Sequence, residues 1–534
     1  MTSSPTKSLK TSPRSFFPVA IAAAASFALA VIGTVADGWP LPRSHDEFSY
    51  VLAAETFASG RLTNPAYPLP AAIETMHVLQ QPSYASKYLP GHSLFLALGI
   101  ALGGSARLGQ WLAFAFMGAA MYWMLTGWLP RRAAAFTAGI MILVLADTEW
   151  ASGYWGSSLA VAGSALLFGS IRRLDTDRPY WIGVLLGLGA MSLALTRPAE
   201  GLAASLLPAC YFVWWFFTSK ERQHVARVTL GGAVVVAFCA VLLGAHNKAV
   251  TGNALRLPYT VYEQNAAGAP PFTWQPVKAV NTDLRVTQSE RLRFDLGAYS
   301  RIREHWLSTM WYRAKSETLG YYLPDPKFAI VLLLFPFAMR DRRSWILVGS
   351  VAAVGVVVSL SSFFQPHYLG PALPPLIILY ALGCGVIARF RWSRHRVGRG
   401  FVAAASIWLG SLGVVQLVSH GPMERVSTSP EYWARQREAI AETLRAKPGK
   451  HVVFVRYAPT YKSQNEWVQN GADLLRTQVL WAHDLGSTAN DALLYFEADR
   501  TAWLLTVHGR GRLAELTEYD RPVTDWRTLA NGGP

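Results

Sequence analysis

Residues 89–104 read Leu-Pro-Gly-His-Ser-Leu-Phe-Leu-Ala-Leu-Gly-Ile-Ala-Leu-Gly-Gly. Whether this stretch crosses a bilayer decides which parts of the chain share a side. It is shorter than the roughly 20 residues a spanning helix needs, rich in glycine and interrupted by His92, which favours an interfacial or re-entrant helix. Its neighbours leave no doubt about the solvent. Of the 534 residues 51% are hydrophobic, and apolar runs recur over 16–35, 108–125, 133–145, 157–171, 181–195, 201–217, 228–245, 328–339, 344–363, 368–387 and 401–418, about eleven expected spans.

Charge fixes the expected orientation. The formal net charge is +16, but the basic residues sit between apolar runs, as Arg131/Arg132, Arg172/Arg173/Arg178, Lys220/Arg222/Arg227, Arg340/Arg342/Arg343 and Arg389, Arg391, Arg394, Arg396, Arg399. With a cytoplasmic amino terminus and 89–104 not spanning, all five clusters fall on the cytoplasmic side; if 89–104 spanned, all five would lie outside. That distribution points to membrane lipids as partners and not to nucleic acid. Cys210, Cys239 and Cys384 each lie in an apolar run and read as small packing residues. The stretch before residue 35, with Lys7, Lys10 and Arg14 ahead of a run long enough to span, reads as a retained anchor.

The same parity places three long segments outside: 36–107, 247–327 and the tail from 419. The expectation is an α-helical polytopic domain over 1–418 and a small extracytoplasmic α/β domain over 419–534, in a multi-pass protein of the inner (plasma) membrane. In the tail, strand patterns are read at 451–457, 478–482, 492–496 and 501–507, with helices at 431–444 and 465–475. An amphipathic stretch over 292–319, with Trp306, Met310, Trp311, Tyr321 and Tyr322, suits the headgroup level.

The strongest local signal is Ser44-His45-Asp46-Glu47-Phe48-Ser49-Tyr50, just after the first span. Two adjacent carboxylates there fit proton transfer from an acceptor hydroxyl, with the second orienting a metal or a phosphate. Ser44 and Glu47 equally match the S-x-x-E capping box of a helix, and the two readings are compatible.

That stretch, followed by Ala-Ala-Glu-Thr-Phe-Ala-Ser-Gly-Arg-Leu over 53–62 and Lys87-Tyr88-Leu89-Pro90-Gly91-His92, resembles the bacterial membrane glycosyltransferases of the GT-C class, in particular the glycosyltransferase 39 and protein mannosyltransferase-like group. The resemblance implies juxtamembrane helices in the first outer loop and an acid there as catalytic base or metal ligand: Asp46, with Glu47 as alternative or as partner to a divalent ion. It also implies a polyprenyl-phosphate-linked sugar as donor and an envelope acceptor. The second acidic site common in the group is represented only by Asp147-Thr148-Glu149.

Departure of a polyprenyl phosphate calls for positive charge on the leaving oxygen. Candidates are Lys87, alternatively a snorkelling interface lysine; Arg197, alternatively a simple partner of Glu200; His367 with Tyr368 at a span end, alternatively structural; and Arg61, alternatively solvated. Asn247, Lys248, Tyr259 and Tyr262 are candidate linings of the acceptor path, and Glu466-Trp467 and Asp473 candidate acceptor contacts from the tail, Trp467 alternatively a core residue. Two other classes fit the span count less well: a transporter or flippase of a lipid-linked substrate, whose ionisable residues belong near the midplane, and a non-catalytic glycan-binding envelope protein, which needs fewer spans. Walker, dinucleotide-binding and zinc-protease motifs are missing from the sequence.

Overall fold

The computed structural model describes residues 16–36, 39, 41–146, 149–176, 178–265, 268–277, 284–322, 325–339, 341, 343–419, 432–509 and 512–520. Asp147, the Glu149 side chain, Arg340, Arg342 and Glu431 lie outside them.

The first helix, Phe16–Ala36, is apolar throughout and packs along Ala106–Trp128. Among the described residues six helices are long and apolar enough to cross a membrane, and Ser157–Arg172, Pro179–Ala194 and Ser344–Ser359 are apolar but shorter. At 16 residues each these rise about 24 Å, less than the roughly 30 Å hydrocarbon core. Their flanking residues must complete any crossing.

The bundle core is made of Phe114, Met117, Met121, Leu125, Trp150 and Phe168, from helices that recur along the chain. Where side chains are smallest, backbones meet. A Cβ on Gly183 would lie 2.0 Å from the Val228 carbonyl oxygen, and one on Gly231 2.2 Å from that of Tyr180. These glycines let Pro179–Ala194 and Arg222–Thr251 approach closely, the small-residue packing typical of membrane helices. Gly183→Val is expected to force the pair apart and to lower the thermal unfolding midpoint of the detergent-solubilised protein, at a cost of about 1–3 kcal/mol for overpacking; an unchanged midpoint would show that the contact is not tight.

The two ends of the bundle differ. At one end Arg172 pairs with Asp341 (3.4 Å) and Arg343 with Asp175 (2.7 Å), while Arg173 donates to the Trp123 carbonyl and stacks on that ring. At the other end lie the loops and the sheet. The helix Pro90–Gly103 starts and finishes at this second end. Its Gly91 amide donates to the Leu195 carbonyl, and Arg107, one turn beyond its left-handed Gly104 cap, donates to the Ser152 carbonyl and lies over the Tyr154 ring. A glycine pair explains the tight hairpin with Ala106–Trp128: a Cβ on Gly99 would fall 2.0 Å from the Gly109 nitrogen.

Beyond the bundle, β3 (Lys450–Tyr457), β4 (Val479–His483), β5 (Arg500–Val507) and β6 (Glu515–Glu518) form a sheet ordered β4-β3-β5-β6, with β6 antiparallel and the others parallel. A two-stranded ribbon in the first loop, β1 (Val78–Leu79) with β2 (Ala85–Ser86), completes the strands among the described residues. The small α/β unit expected in the tail is therefore present, with two corrections. Residues 492–496 form the end of the helix Ser487–Phe496: Asn490, Leu493 and Leu494 are buried at helical spacing while Tyr495 is exposed, a period that a short apolar run does not reveal. Residues 465–475 are not helical. Asn470 instead bonds both the amide and the carbonyl of Trp481 through its side chain, finishing the edge of β4, and such side-chain bonds compete with helix formation.

Candidate active site

Ser44 caps the helix His45–Ala58, its hydroxyl accepting from the Glu47 amide, and this puts Asp46 and Glu47 in the first turn pointing in different directions. Glu47 is buried away from the cavity that Asp46 faces. It accepts hydrogen bonds from the amides of Arg43 (2.5 Å) and Tyr154 (2.9 Å), so it ties the first loop to the segment before Ser157–Arg172. Asp46 faces an open cavity of ≈ 1590 Å³ lined by the first two long loops, by helix ends around Arg197 and His367 and by Gln464 of the tail, and Glu47 is not among the residues that line it.

Around Asp46 the partners are specific. The Tyr88 hydroxyl donates to its Oδ1, and His77 Nε2 lies 3.6 Å from the same oxygen. His77 occupies the left-handed region (φ 65°), a conformation that costs a non-glycine residue about 1–3 kcal/mol unless its surroundings impose it. Three bonds impose it: its amide donates to the Tyr262 hydroxyl (2.9 Å), and its carbonyl accepts from the Ser49 hydroxyl (2.7 Å) and the Lys87 amide (3.1 Å). Burial holds the His77 ring well below its usual pKa, and neighbouring Lys87 adds to this.

Burial works against ionisation of Asp46, but the positive charge of His77 when protonated and of Arg291, the Tyr88 hydrogen bond and Lys87 together outweigh it, leaving the carboxyl well below the usual range. Lys87 is buried too. Its Nζ is 3.1 Å from Glu263 Oε1 and lies over the rings of Tyr262 (4.5 Å) and Tyr259 (4.8 Å). Burial pulls its pKa down and Glu263 and Asp46 oppose that pull.

In the same cavity, Arg197 lies over the Tyr368 ring at 4.5 Å, and its buried Nε has no hydrogen-bond partner among the described residues. No ion pair joins it to Glu200 among the described residues; both line the same space. His367 is fully buried against Trp155, ring centroids 4.6 Å apart. Arg291, on the helix Val286–Glu304, reaches the cavity while paired with Asp295 (2.8 Å).

Asp46, Lys87, Arg197, His367 and Tyr368, spread over more than 300 positions, thus share one cavity, together with Tyr259 and Tyr262. Arg61 does not reach it; its Nε donates to Ser59. Asn247 bonds the Ala254 carbonyl, and Lys248 and Asp473 are exposed. Of the tail, Gln464 contributes to the lining, whereas Trp467 packs in the core of the sheet unit and Glu466 is buried behind it. The site residues that sequence reading missed are His77, Tyr88, Glu263 and Arg291. Tyr88 stood in the quoted motif beside Lys87, but the others belong to no local pattern.

For a divalent ion, Asp46 and His77 are suitable donor types, but no group of three His, Cys, Asp or Glu side chains able to hold a metal occurs among the described residues. The donor set falls short of a metal cage.

No protein-family model matches the chain, and no curated protein matches it in sequence. Solved structures do match. ArnT from Cupriavidus metallidurans in the apo state superposes with a TM-score of 0.54 at 14% identity, covering 93% of each chain. The same protein bound to undecaprenyl phosphate gives 0.51 at 15% identity, over 90% of this chain and 92% of that one. The arabinofuranosyltransferase AftD from Mycobacteria gives 0.50 at 15%, over 93% of this chain and 35% of AftD. At these identities the likeness establishes the fold. The helical membrane architecture with a small α/β unit in the tail, expected from the sequence, is the fold these structures share.

Proposed function

We propose that the chain is a glycosyltransferase that moves a sugar from a polyprenyl-phosphate-linked donor to an extracytoplasmic acceptor, an envelope glycan, lipid or protein. One observation carries the reading: a partly buried Asp46, hydrogen-bonded by Tyr88, faces a large cavity that Lys87, Arg197 and Arg291 also line. Such a site offers a proton acceptor and a cationic cradle to one reacting centre. The fold shared with ArnT, whose structure holds undecaprenyl phosphate, supports the donor class. The arginine-rich end of the bundle supports a cytoplasmic face opposite the cavity in the inner membrane, with the transmembrane domain ending near 418 and the sheet unit outside.

In this mechanism the acceptor hydroxyl attacks the anomeric carbon as Asp46 takes its proton. The carbon–oxygen bond to the donor phosphate breaks, and Arg197, Lys87 and Arg291 hold the departing phosphate oxygens; His367 and Tyr368 shape the wall behind them. A single displacement inverts the anomeric centre. The acid that Asp46 becomes returns its proton to water when products leave.

The low pKa of Asp46 makes it a weak base in the free protein. A phosphate anion seated among the three cations offsets the charge that depresses it, so donor binding raises its pKa towards the range where it accepts protons. The acid limb of kcat, which reports the complex, is therefore expected at higher pH than that of kcat/KM, which reports the free protein. Coincident limbs would remove Asp46 as the titrating group. The test of the reading itself is transfer of radiolabelled sugar from polyprenyl-phosphate donors to membrane acceptors by the purified protein. Absence of transfer with every hexosyl and pentosyl donor would overturn it.

A further inference from the structure

At the end of the bundle opposite the cavity lies a second hollow, of ≈ 620 Å³, lined by Leu334, Val386, Ile387, Val397 and Phe401. Arg389 is its one charged lining residue, and it is exposed. The hollow opens beside the turn that joins Leu373–Ile387 to Val397–Ser419. That turn is a tight hairpin: Trp392 and His395 exchange backbone hydrogen bonds of 3.1 and 3.0 Å, Ser393 takes a left-handed φ of 54°, and the Gly398 amide returns to the Phe390 carbonyl at 3.2 Å.

The hairpin displays Arg389, Arg391, Arg394, Arg396 and Arg399, all exposed, and residues 388–419 contain no Asp or Glu. No ion pair involves these five arginines among the described residues, in contrast to Arg172 and Arg343, which are paired with Asp341 and Asp175. Phe390 and Trp392 are exposed on the same turn. An apolar slot with unpaired guanidinium groups at its mouth and aromatic rings at its rim matches a molecule with an aliphatic chain, an anionic phosphodiester and a place at the headgroup level.

We infer that this hollow is a binding site for an anionic phospholipid, its acyl chain lying against Leu334, Ile387 and Phe401 and its phosphate on Arg389 and the neighbouring arginines. The site is separate from the cavity around Asp46, which lies at the far end of the helix that starts beyond His367. It stands or falls without the transferase reading.

The test is binding of dioleoyl phosphatidylglycerol to the full chain in nanodiscs of phosphatidylcholine, read by native mass spectrometry and by titration. Phosphatidylglycerol is expected to be retained in preference to phosphatidylcholine of the same chains. Arg389→Ala is expected to weaken it about fivefold, the usual worth of one basic residue at a membrane surface. Leu334→Trp, which fills the slot and leaves every charge in place, is expected to weaken it as well, whereas Arg389→Lys and Arg227→Ala, an exposed arginine on a helix that packs against Pro179–Ala194 and not against the slot, are expected to leave it within twofold. Equal retention of both lipids overturns the inference. So does an equal loss in Arg227→Ala, which would reduce the effect to a diffuse basic surface. Retained binding in Leu334→Trp would remove the slot from it.

Discussion

Asp46→Asn is expected to lower sugar transfer by about 10²–10⁴-fold, the range contributed by a positioned general base, while leaving the unfolding midpoint nearly unchanged. The amide is isosteric, and its oxygen still accepts from the Tyr88 hydroxyl. Removing a negative charge from a cavity that also holds Lys87, Arg197 and Arg291 does not weaken a donor phosphate, so the donor KM should stay level or fall. Glu47→Gln serves as the contrasting variant. Glu47 accepts from two backbone amides, and a glutamine offers one oxygen and two N–H donors, leaving a buried amide opposed by a donor. Its cost of about 1–3 kcal/mol belongs to stability. A lowered midpoint with transfer per folded molecule preserved is the expected result. Full activity in Asp46→Asn alongside loss in a well-folded Glu47→Gln would exchange the two assignments.

Arg500→Met is expected to destabilise the sheet unit by about 3–5 kcal/mol, the cost of stranding a buried charge. Arg500 is fully enclosed. Its Nε is 2.7 Å from Glu497 Oε2, and its other nitrogens donate to the carbonyls of Thr477 (2.7 Å), Leu474 (3.0 Å) and Leu475 (3.3 Å). Glu497 also accepts from the Tyr67 hydroxyl at 2.8 Å, so the network reaches from the sheet into the first loop. Methionine fills the space but removes the guanidinium from Glu497 and from four carbonyls, that of His451 (3.4 Å) included. Faster proteolysis within 432–520 of the full chain is the observable. Adding Glu497→Gln to Arg500→Met should recover part of the loss, since it removes the stranded charge; no recovery would show that the carbonyls carry the cost.

Much of this architecture was legible because the bilayer simplifies the physics. Backbone groups in lipid must be satisfied within the helix, so apolar runs report helices directly, and the arginine clusters report which helix ends share a side. The start of His45–Ala58 was readable from Ser44 and Glu47, whose side chain and amide obey a local capping rule. Where the rules were weaker, the reading slipped. Residues 492–496 looked like a strand because five apolar residues carry too little periodicity to separate strand from helix, and residues 465–475 looked helical because the edge bond of Asn470 to Trp481 depends on a partner eleven positions away.

Sequence alone determined that this is a helical membrane protein with a small α/β unit in its tail, that Asp46 stands at the head of a capped helix in the first loop, and that 89–104 holds a helix shorter than the long apolar ones. Those features depend on hydropathy, charge placement and contacts within one turn. Only the tertiary structure decided that Asp46 faces the cavity and Glu47 the protein, a matter of two side chains one step apart on a helix, pointing about 100° from each other. It alone brought Arg197 and His367 into one cavity with Lys87, and added Arg291, Glu263 and a left-handed His77. Such residues meet because separate helices pack against one another, and no spacing along the chain records which of their faces will meet.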